Sequence, residues 1–377
     1  MEKIQMVDLK RQYDKIQGEV DAAVLDVIKS TKYINGPEVK AFQQDLESYL
    51  GVKHVIPCAN GTDALQVAMM ALDLKPGDEV ITTSFTFVAT VEVISLLGLT
   101  PVLVDVDPNT FNIDPDAFRK AVTPKTKAVV PVHLFGQSAH MEPIMDIAEA
   151  HGLAVIEDNA QAIGADYIFA NGTRQKTGTI GHIGCTSFFP SKNLGCYGDG
   201  GAVFTNDDEL AKKLRVIVNH GMEVRYYHDE VGVNSRLDSI QAAILRIKLR
   251  RLDEYADARR KAAAYYDKAF GDHPGLTIPF RADHSSHVFH QYTLKTSGID
   301  RFALQEYLMA NEVPAMVYYP VPMHLQKAYH DPRYSKGDFP ITEDLSERVI
   351  SLPMHTELDE EQLAYITDKV LSFFKDK

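Results

Sequence analysis

Short runs dense in valine, isoleucine and leucine alternate with segments of helical period through the first two thirds of the chain. "EVITTSF", "PVLVDVD", "KAVVPVHLFG", "LAVIEDNA", "GCTSFF" and "GGAVFTND" are the runs. Several are nearly continuous in apolar residues, which predicts strands covered on both faces. Between them, "GTDALQVAMMALDL" places Leu65, Ala68, Met69 and Leu72 on one helical face. "MEPIMDIAEAHG" closes on a glycine suited to a helix C-terminus. The alternation predicts an α/β fold built on a largely parallel sheet.

After about Ser235 the pattern changes. "SRLDSIQAAILRIKLRRLDEYADARRKAAAYYDKAF" reads as one long charged helix leading out of the sheet domain. From about Gly275, strand-like "HVFHQYTLKT" and helical "RFALQEYLMANE" and "DEEQLAYITDKVLSFFKD" suit a smaller α+β unit. The expected division is 1–250 for the large domain and 251–377 for the small one. "IFANGTRQKTGTIGHIG" reads as a long, exposed, turn-rich loop.

Composition narrows the function classes. The 377 residues are 45% hydrophobic and 24% charged, with a net charge of −13. That balance, with no sustained basic run, argues against a nucleic-acid or anionic-membrane binder. An anionic small molecule feels only local charge and stays open. No signal-like or spanning stretch stands out, and Cys58, Cys185 and Cys196 form no CxxC pair. The expectation is a cytoplasmic protein with free thiols.

Four local features could carry chemistry. In "CANGTDALQ", Gly61 and Thr62 stand where an irregular stretch becomes a helix, and free N–H groups there attract an anion. An ordinary N-cap, with Asn60 or Thr62 capping and no ligand, is the alternative. In "VIEDNAQAIGA", an apolar strand ends in Glu157, Asp158 and Asn159, with Gln161 just beyond. A carboxylate at a strand's carboxyl end can hold a cationic ring nitrogen, or simply leave for solvent. In "TSFFPSKNLGCYGDGG", Lys192 follows Ser187 among aromatics and glycines. A partly desolvated lysine there can form a Schiff base, where a surface lysine would do nothing. In "SFTFVATVEVI", Phe87 can stack on a flat ring or serve as core. A phosphate cradle, a carboxylate, a stacking ring and a lysine together are what pyridoxal phosphate needs.

"YINGPEV", "NGTDALQ", "EDNAQAIGA", "SFFPSKNLG", "GDGGAVFTND", "GVNSRLDSIQAAIL", "YYPVPMHLQ" and "ISLPMH", in this order, closely resemble the nucleotide-sugar aminotransferases of the DegT/DnrJ/EryC1/StrS family. The resemblance implies the fold type I (aspartate aminotransferase-like) transferase architecture, with a mainly parallel seven-stranded sheet. It implies pyridoxal 5'-phosphate held by Lys192, which is also the proton shuttle, with Asp158 at the ring nitrogen and Gln161 at the phenolic oxygen. Phe87 would stack on the ring, and Gly61, Thr62 and Ser187 would bind the phosphate. Asn234 would reach the cofactor of a second subunit, since family members resemble one another in sharing active sites across a homodimer. Arg236, Tyr318, Tyr319 and His324 are the implied substrate contacts.

The implied reaction moves an amino group from glutamate to a nucleotide-linked keto-sugar for cell-surface polysaccharide. "SFFPSK", "LGCYGDGGA" and "GVNSRLD" look like the group acting on UDP-2-acetamido-2-deoxy-3-oxo-glucuronate. A dTDP-linked 3-keto-6-deoxyhexose is the alternative, because Tyr318 stands where that group has histidine. A sister group that removes a hydroxyl has histidine in place of the lysine. A non-catalytic sensor of this fold should have lost part of the set. "GCYGDGG" does not follow the GxGxxG of nicotinamide enzymes. His284, His287 and His290, three apart at the entry to a strand, would scatter over both faces and make a poor metal site.

Overall fold

In the computed structural model, residues 2–375 are described. The expected outer bounds of the two domains, Met1 and Lys377, lie outside the described residues. Helices α1 (Leu9–Ser30) and α2 (Pro37–Leu50) lead into strand β1 (His54–Cys58) and helix α3 (Gly61–Ala71). There follow β2 (Glu79–Thr83), α4 (Ala89–Leu96), β3 (Thr100–Val104), α5 (Pro115–Ala121), β4 (Thr126–Val129), α6 (Met141–His151) and β5 (Ala154–Asp158). A hairpin of β6 (Asp166–Ile168) and β7 (Arg174–Lys176) precedes β8 (Ile183–Ser187), β9 (Gly201–Thr205) and α7 (Asp208–Ile217).

One seven-stranded sheet has the order β1-β9-β8-β5-β4-β2-β3. The run from β8 through β3 is parallel, and β9 is antiparallel to both its neighbours. Neighbouring residues of one strand enter different cores. Val80, Val130 and Ile156 pack with Leu65, Met69 and Val93 on one face. Ile81, Val129 and Val155 pack with Phe118, Ile144 and Ile147 on the other. Burial on both faces is why these strands read as unbroken apolar runs.

The segment predicted as one long helix is two, α8 (Ser239–Leu249) and α9 (Leu252–Phe270), with the break at Arg250–Arg251. Its charges do not all face water: Lys248 and Arg259 are buried. Beyond it, β10 (Leu276–Thr277), β11 (Tyr292–Thr296) and β12 (Val349–Leu352) form an antiparallel sheet. Helices α10 (Arg301–Ala310), α11 (Pro340–Arg348) and α12 (Glu360–Lys375) accompany it. Tyr266, Phe270, Leu294, Ile350 and Ile366 share this core with Ile4 from the chain's start. The strand expected over "HVFHQYTLKT" begins only at Tyr292, because His287 to His290 turn inward instead.

The loop predicted as exposed over residues 168–184 is exposed over 170–174, and its later part departs from expectation. It contains β7, and its end is drawn into the core by Glu157. That carboxylate, fully buried, accepts from the N–H groups of Gly178 at 2.8 Å and Ile180 at 2.6 Å, from Gly181, and from His133 Nε2 at 2.8 Å. His133 Nδ1 accepts from Ala139 N–H, which puts the ring proton on Nε2. Adjacent strand residues point to opposite faces, so Glu157 holds this loop while Asp158 faces the other way.

Candidate active site

A cleft of about 490 Å³ opens at the carboxyl ends of β2, β5 and β8. Parallel α/β sheets offer ligands a crevice at this edge. Gly61, Thr62, Phe87, Asp158, Gln161, Ser187, Lys192, Tyr318 and Tyr319 all line it. Residues spread over more than two thirds of the chain thus meet in one cavity.

The anion cradle is the start of α3. Asn60 caps the helix, its side-chain oxygen accepting from Asp63 N–H at 2.8 Å. The capping role and the ligand role are therefore divided: Asn60 caps, while the N–H groups of Gly61 and Thr62 have no acceptor within the helix. Gly61 packs directly on Ser187, and a Cβ at 61 would lie 2.6 Å from the serine Cβ. Only glycine lets helix start and serine hydroxyl stand side by side.

Asp158 is 6% exposed. Its carboxylate accepts from Thr90 Oγ1 at 2.8 Å and from Ala160 N–H at 3.1 Å. Such bonds favour and orient a charged acceptor. Thr90 lies 68 residues from Asp158 in sequence, and nothing in the local pattern marks it.

Lys192 sits in a tight loop after β8. Phe188 is buried and packs edge-on against Phe42 at 5.4 Å, anchoring the loop, while half-exposed Phe189 lines the cleft. The Lys192 N–H closes a turn on Phe189 O at 2.8 Å. Gly195 completes the fold-back, where a Cβ would meet Pro190 O at 2.2 Å. The ammonium has no hydrogen-bond acceptor among the described residues. Burial pushes its pKa down to about 8, and the charge of Asp158 opposes that fall.

Gln161 is locked at both ends of its amide. Oε1 accepts from Phe135 N–H at 2.7 Å, and Nε2 donates to Tyr319 Oη at 3.0 Å. Phe87, 51% exposed, stands at the mouth with its ring centroid 6.1 Å from that of Tyr319. Gln291 and Asp199 also line the cleft and were not singled out by their position in the sequence, and His290, weighed there only as part of a poor metal site, lines it too. His290 is buried, and its pKa is pushed well below the ordinary value by burial and then by Lys192 and Arg259. It belongs with the cleft, whereas His284 stacks on His140 at 4.5 Å and His287 on Phe289 at 3.9 Å. The three histidines do not converge, and no metal-binding group of His, Cys, Asp or Glu occurs among the described residues.

Three predicted residues lie elsewhere. Asn234 is exposed, and Arg236 is half-buried, outside the lining of their own chain's cleft. His324, expected to touch substrate, is instead buried behind the cleft wall. Its Nδ1 is 2.7 Å from Ser84 Oγ and its Nε2 is 3.0 Å from Glu343 Oε1. Both ring nitrogens are already used by the protein, which leaves none for a ligand.

The fold and the cleft can be compared with known proteins. A protein named pleiotropic regulatory protein from Geobacillus stearothermophilus is 47% identical over 374 residues, covering 99% of each chain. UDP-2-acetamido-2-deoxy-3-oxo-D-glucuronate aminotransferase of Pseudomonas aeruginosa is 47% identical over 356 residues, 94% of this chain and 96% of that one. Among solved structures, DesV of S. venezuelae superposes with a TM-score of 0.94 at 38% identity, covering 99% of each chain. NtdA of Bacillus subtilis, solved with bound cofactor PMP, gives 0.90 at 30% identity over 100% of this chain and 86% of that one. The match that unites these likenesses runs from residue 14 to 371, nearly the whole folded chain, and by it the protein belongs to the DegT/DnrJ/EryC1/StrS aminotransferase family.

Proposed function

We propose that the chain transfers an amino group from glutamate to a nucleotide-linked 3-keto sugar, with UDP-2-acetamido-2-deoxy-3-oxo-glucuronate as the favoured acceptor. The observation that carries this reading is the meeting of Lys192 and Asp158 in one cleft with the Gly61–Thr62–Ser187 anion cradle. The 47% identity to the Pseudomonas aeruginosa enzyme supports the choice of sugar. A dTDP-linked 3-keto-6-deoxyhexose is the second acceptor to test, since Tyr318 faces the cleft where the uronate group has histidine.

The donor set fits pyridoxal phosphate: an N–H-rich helix start, a carboxylate, an aromatic ring and an amine of lowered basicity. When bound, that cofactor supplies an electron sink that lets a proton leave carbon. The residues do the rest. Gly61, Thr62 and Ser187 hold the phosphate by N–H and hydroxyl groups. Asp158, steadied by Thr90 and the Ala160 N–H, keeps a cationic ring nitrogen charged. Gln161 would offer its second Nε2 hydrogen to a ring oxygen, and Phe87 would cover one face. Lys192, uncharged in useful amount near neutral pH, takes a proton from carbon at Nζ and returns it.

A regulatory role without chemistry is the competing reading, given the name borne by the Geobacillus stearothermophilus relative. Against it stands the complete set of amine, carboxylate and cradle in the cleft.

A second copy would bring Asn234 and Arg236 to its neighbour's cleft. Supporting this are exposed Val224, Tyr226, Tyr227 and Val231 just before Asn234, and Leu25, Ile28, Tyr33 and Ile34 along and after the end of α1. Exposed large apolar side chains in such number suit an interaction surface. The two-domain division falls at 250/251 in this reading, at the α8–α9 break. No helix among the described residues is long and apolar enough to cross a membrane. The three free, buried cysteines suit a cytoplasmic setting. A role in cell-surface polysaccharide follows from the proposed product.

The test is a panel of UDP- and dTDP-linked 3-keto sugars with glutamate and added pyridoxal phosphate, read by mass. Conversion of ketone to amine, lost in Lys192→Ala, is expected. A protein that binds the cofactor yet aminates none of the panel would overturn the assignment.

A further inference from the structure

Behind the cleft wall, three chain segments distant in sequence are joined through one imidazole. Ser84 follows β2 and leads into Phe85, Thr86 and Phe87. His324 ends the stretch that carries Tyr318 and Tyr319. Glu343 belongs to α11.

The hydrogen-bond roles are fixed at the carboxylate end. Burial opposes ionisation of Glu343, but bonds from Gly337 N–H, His324 and Phe339 N–H outweigh it and hold its pKa below the ordinary value. An ionised carboxylate only accepts, so His324 Nε2 carries the ring proton and donates to Oε1 at 3.0 Å. Nδ1 pairs with the Ser84 hydroxyl at 2.7 Å, accepting from it in the neutral ring and donating to it in the imidazolium. The Ser84 oxygen still accepts the His324 N–H at 3.4 Å, and Ser84 O accepts the Met323 N–H at 2.9 Å. The Phe339 ring closes edge-on over the imidazole at 4.8 Å.

The clamped segments meet again at the cleft. Phe85 lies edge-on to Tyr319 at 6.1 Å, and Phe87 lies 6.1 Å from the same ring. Tyr319 in turn receives the Gln161 amide at 3.0 Å.

We infer that the Ser84–His324–Glu343 hydrogen-bond chain is a positioning device, which ties α11 to the aromatic wall formed by Phe87 and Tyr318–Tyr319 and thereby sets the width of the acceptor side of the cleft. His324 acts through these residues and touches no substrate. Buried side-chain bonds of this kind hold one arrangement against looser alternatives. The inference deepens the proposed transfer reaction and rests on it for its kinetic part only.

The experiment compares Glu343→Ala, Glu343→Gln and His324→Ala, each loaded with pyridoxal phosphate. Amide hydrogen exchange is followed by mass spectrometry over peptides covering 84–90 and 318–326. Both peptides should exchange faster by about tenfold or more in Glu343→Ala and stay near wild type in Glu343→Gln, whose amide oxygen still accepts from Nε2. With the keto-sugar acceptor, Glu343→Ala should raise KM by about tenfold while kcat stays within about threefold, the pattern of lost ground-state binding. Glutamine at 343 should restore KM.

If His324→Ala fails to fold, the Glu343 pair, at the partly exposed end of the chain of bonds, decides alone. Unchanged exchange at 84–90 in Glu343→Ala, or Glu343→Gln as impaired as Glu343→Ala, would sink the inference. Should the wild type aminate no keto-sugar, the functional reading fails while the exchange comparison still decides this one.

Discussion

The lowered basicity of Lys192 has a measurable consequence. An amine must be neutral to attack the cofactor's aldehyde. Burial takes this lysine from an ordinary 10.5 to about 8. At pH 7 a side chain with the ordinary value is about 0.03% neutral, whereas one titrating near 8 is about 9% neutral. The structure thus makes the reactive form about 300-fold more abundant. The sign is that of a cation desolvated by the fold: the neutral form gains as pH rises through about 8, not through the ordinary value.

The assay is the rate of covalent capture when cofactor-free protein meets saturating pyridoxal phosphate, followed by absorbance across the alkaline range. The rate should climb with pH and level off with a midpoint of about 8. Replacing the opposing charge, in Asp158→Asn, should move that midpoint lower, since Asp158 holds the ammonium's pKa up. A wild-type midpoint near the ordinary lysine value would show a solvated amine and refute the argument. So would an upward move in Asp158→Asn.

Other substitutions probe the supports. Thr90→Val keeps the shape but removes the 2.8 Å donor to Asp158. A bond to a charged group contributes about 2 kcal/mol, so cofactor affinity should fall by about 30-fold in an absorbance titration. Gly61→Ala forces a Cβ to 2.6 Å from Ser187. Crowding of this kind costs about 1–3 kcal/mol, and both thermal stability and cofactor binding should drop. Glu157→Ala strips the acceptor from His133 and from three backbone N–H groups, that of Gly178 buried. It should destabilise by about 3 kcal/mol or more in denaturant unfolding, because several donors are left without a partner.

Sequence alone was enough for the β-rich runs, the helical faces, the parallel sheet and several of the residues that converge on the cleft. Those features are local: apolar continuity marks strands buried on both sides, and a glycine-rich turn around a lysine marks a ligand approach. The strand pattern did not say which of the neighbours Glu157 and Asp158 faces the cavity, since strand parity has meaning only once the sheet is assembled; the family resemblance alone named Asp158. Thr90, paired to Asp158 across 68 positions, carries no local mark at all, and the histidine spacing that marked His290 did not point to the cleft.

His324 looked like a substrate contact and became a tie between segments, because its two ring nitrogens were claimed by Ser84 and Glu343 when α11 packed. The loop at 178–181 looked exposed and went inside, because a buried carboxylate needed its N–H groups. Which polar group satisfies which other is decided by packing at a distance, and only the tertiary structure brings such partners within reach.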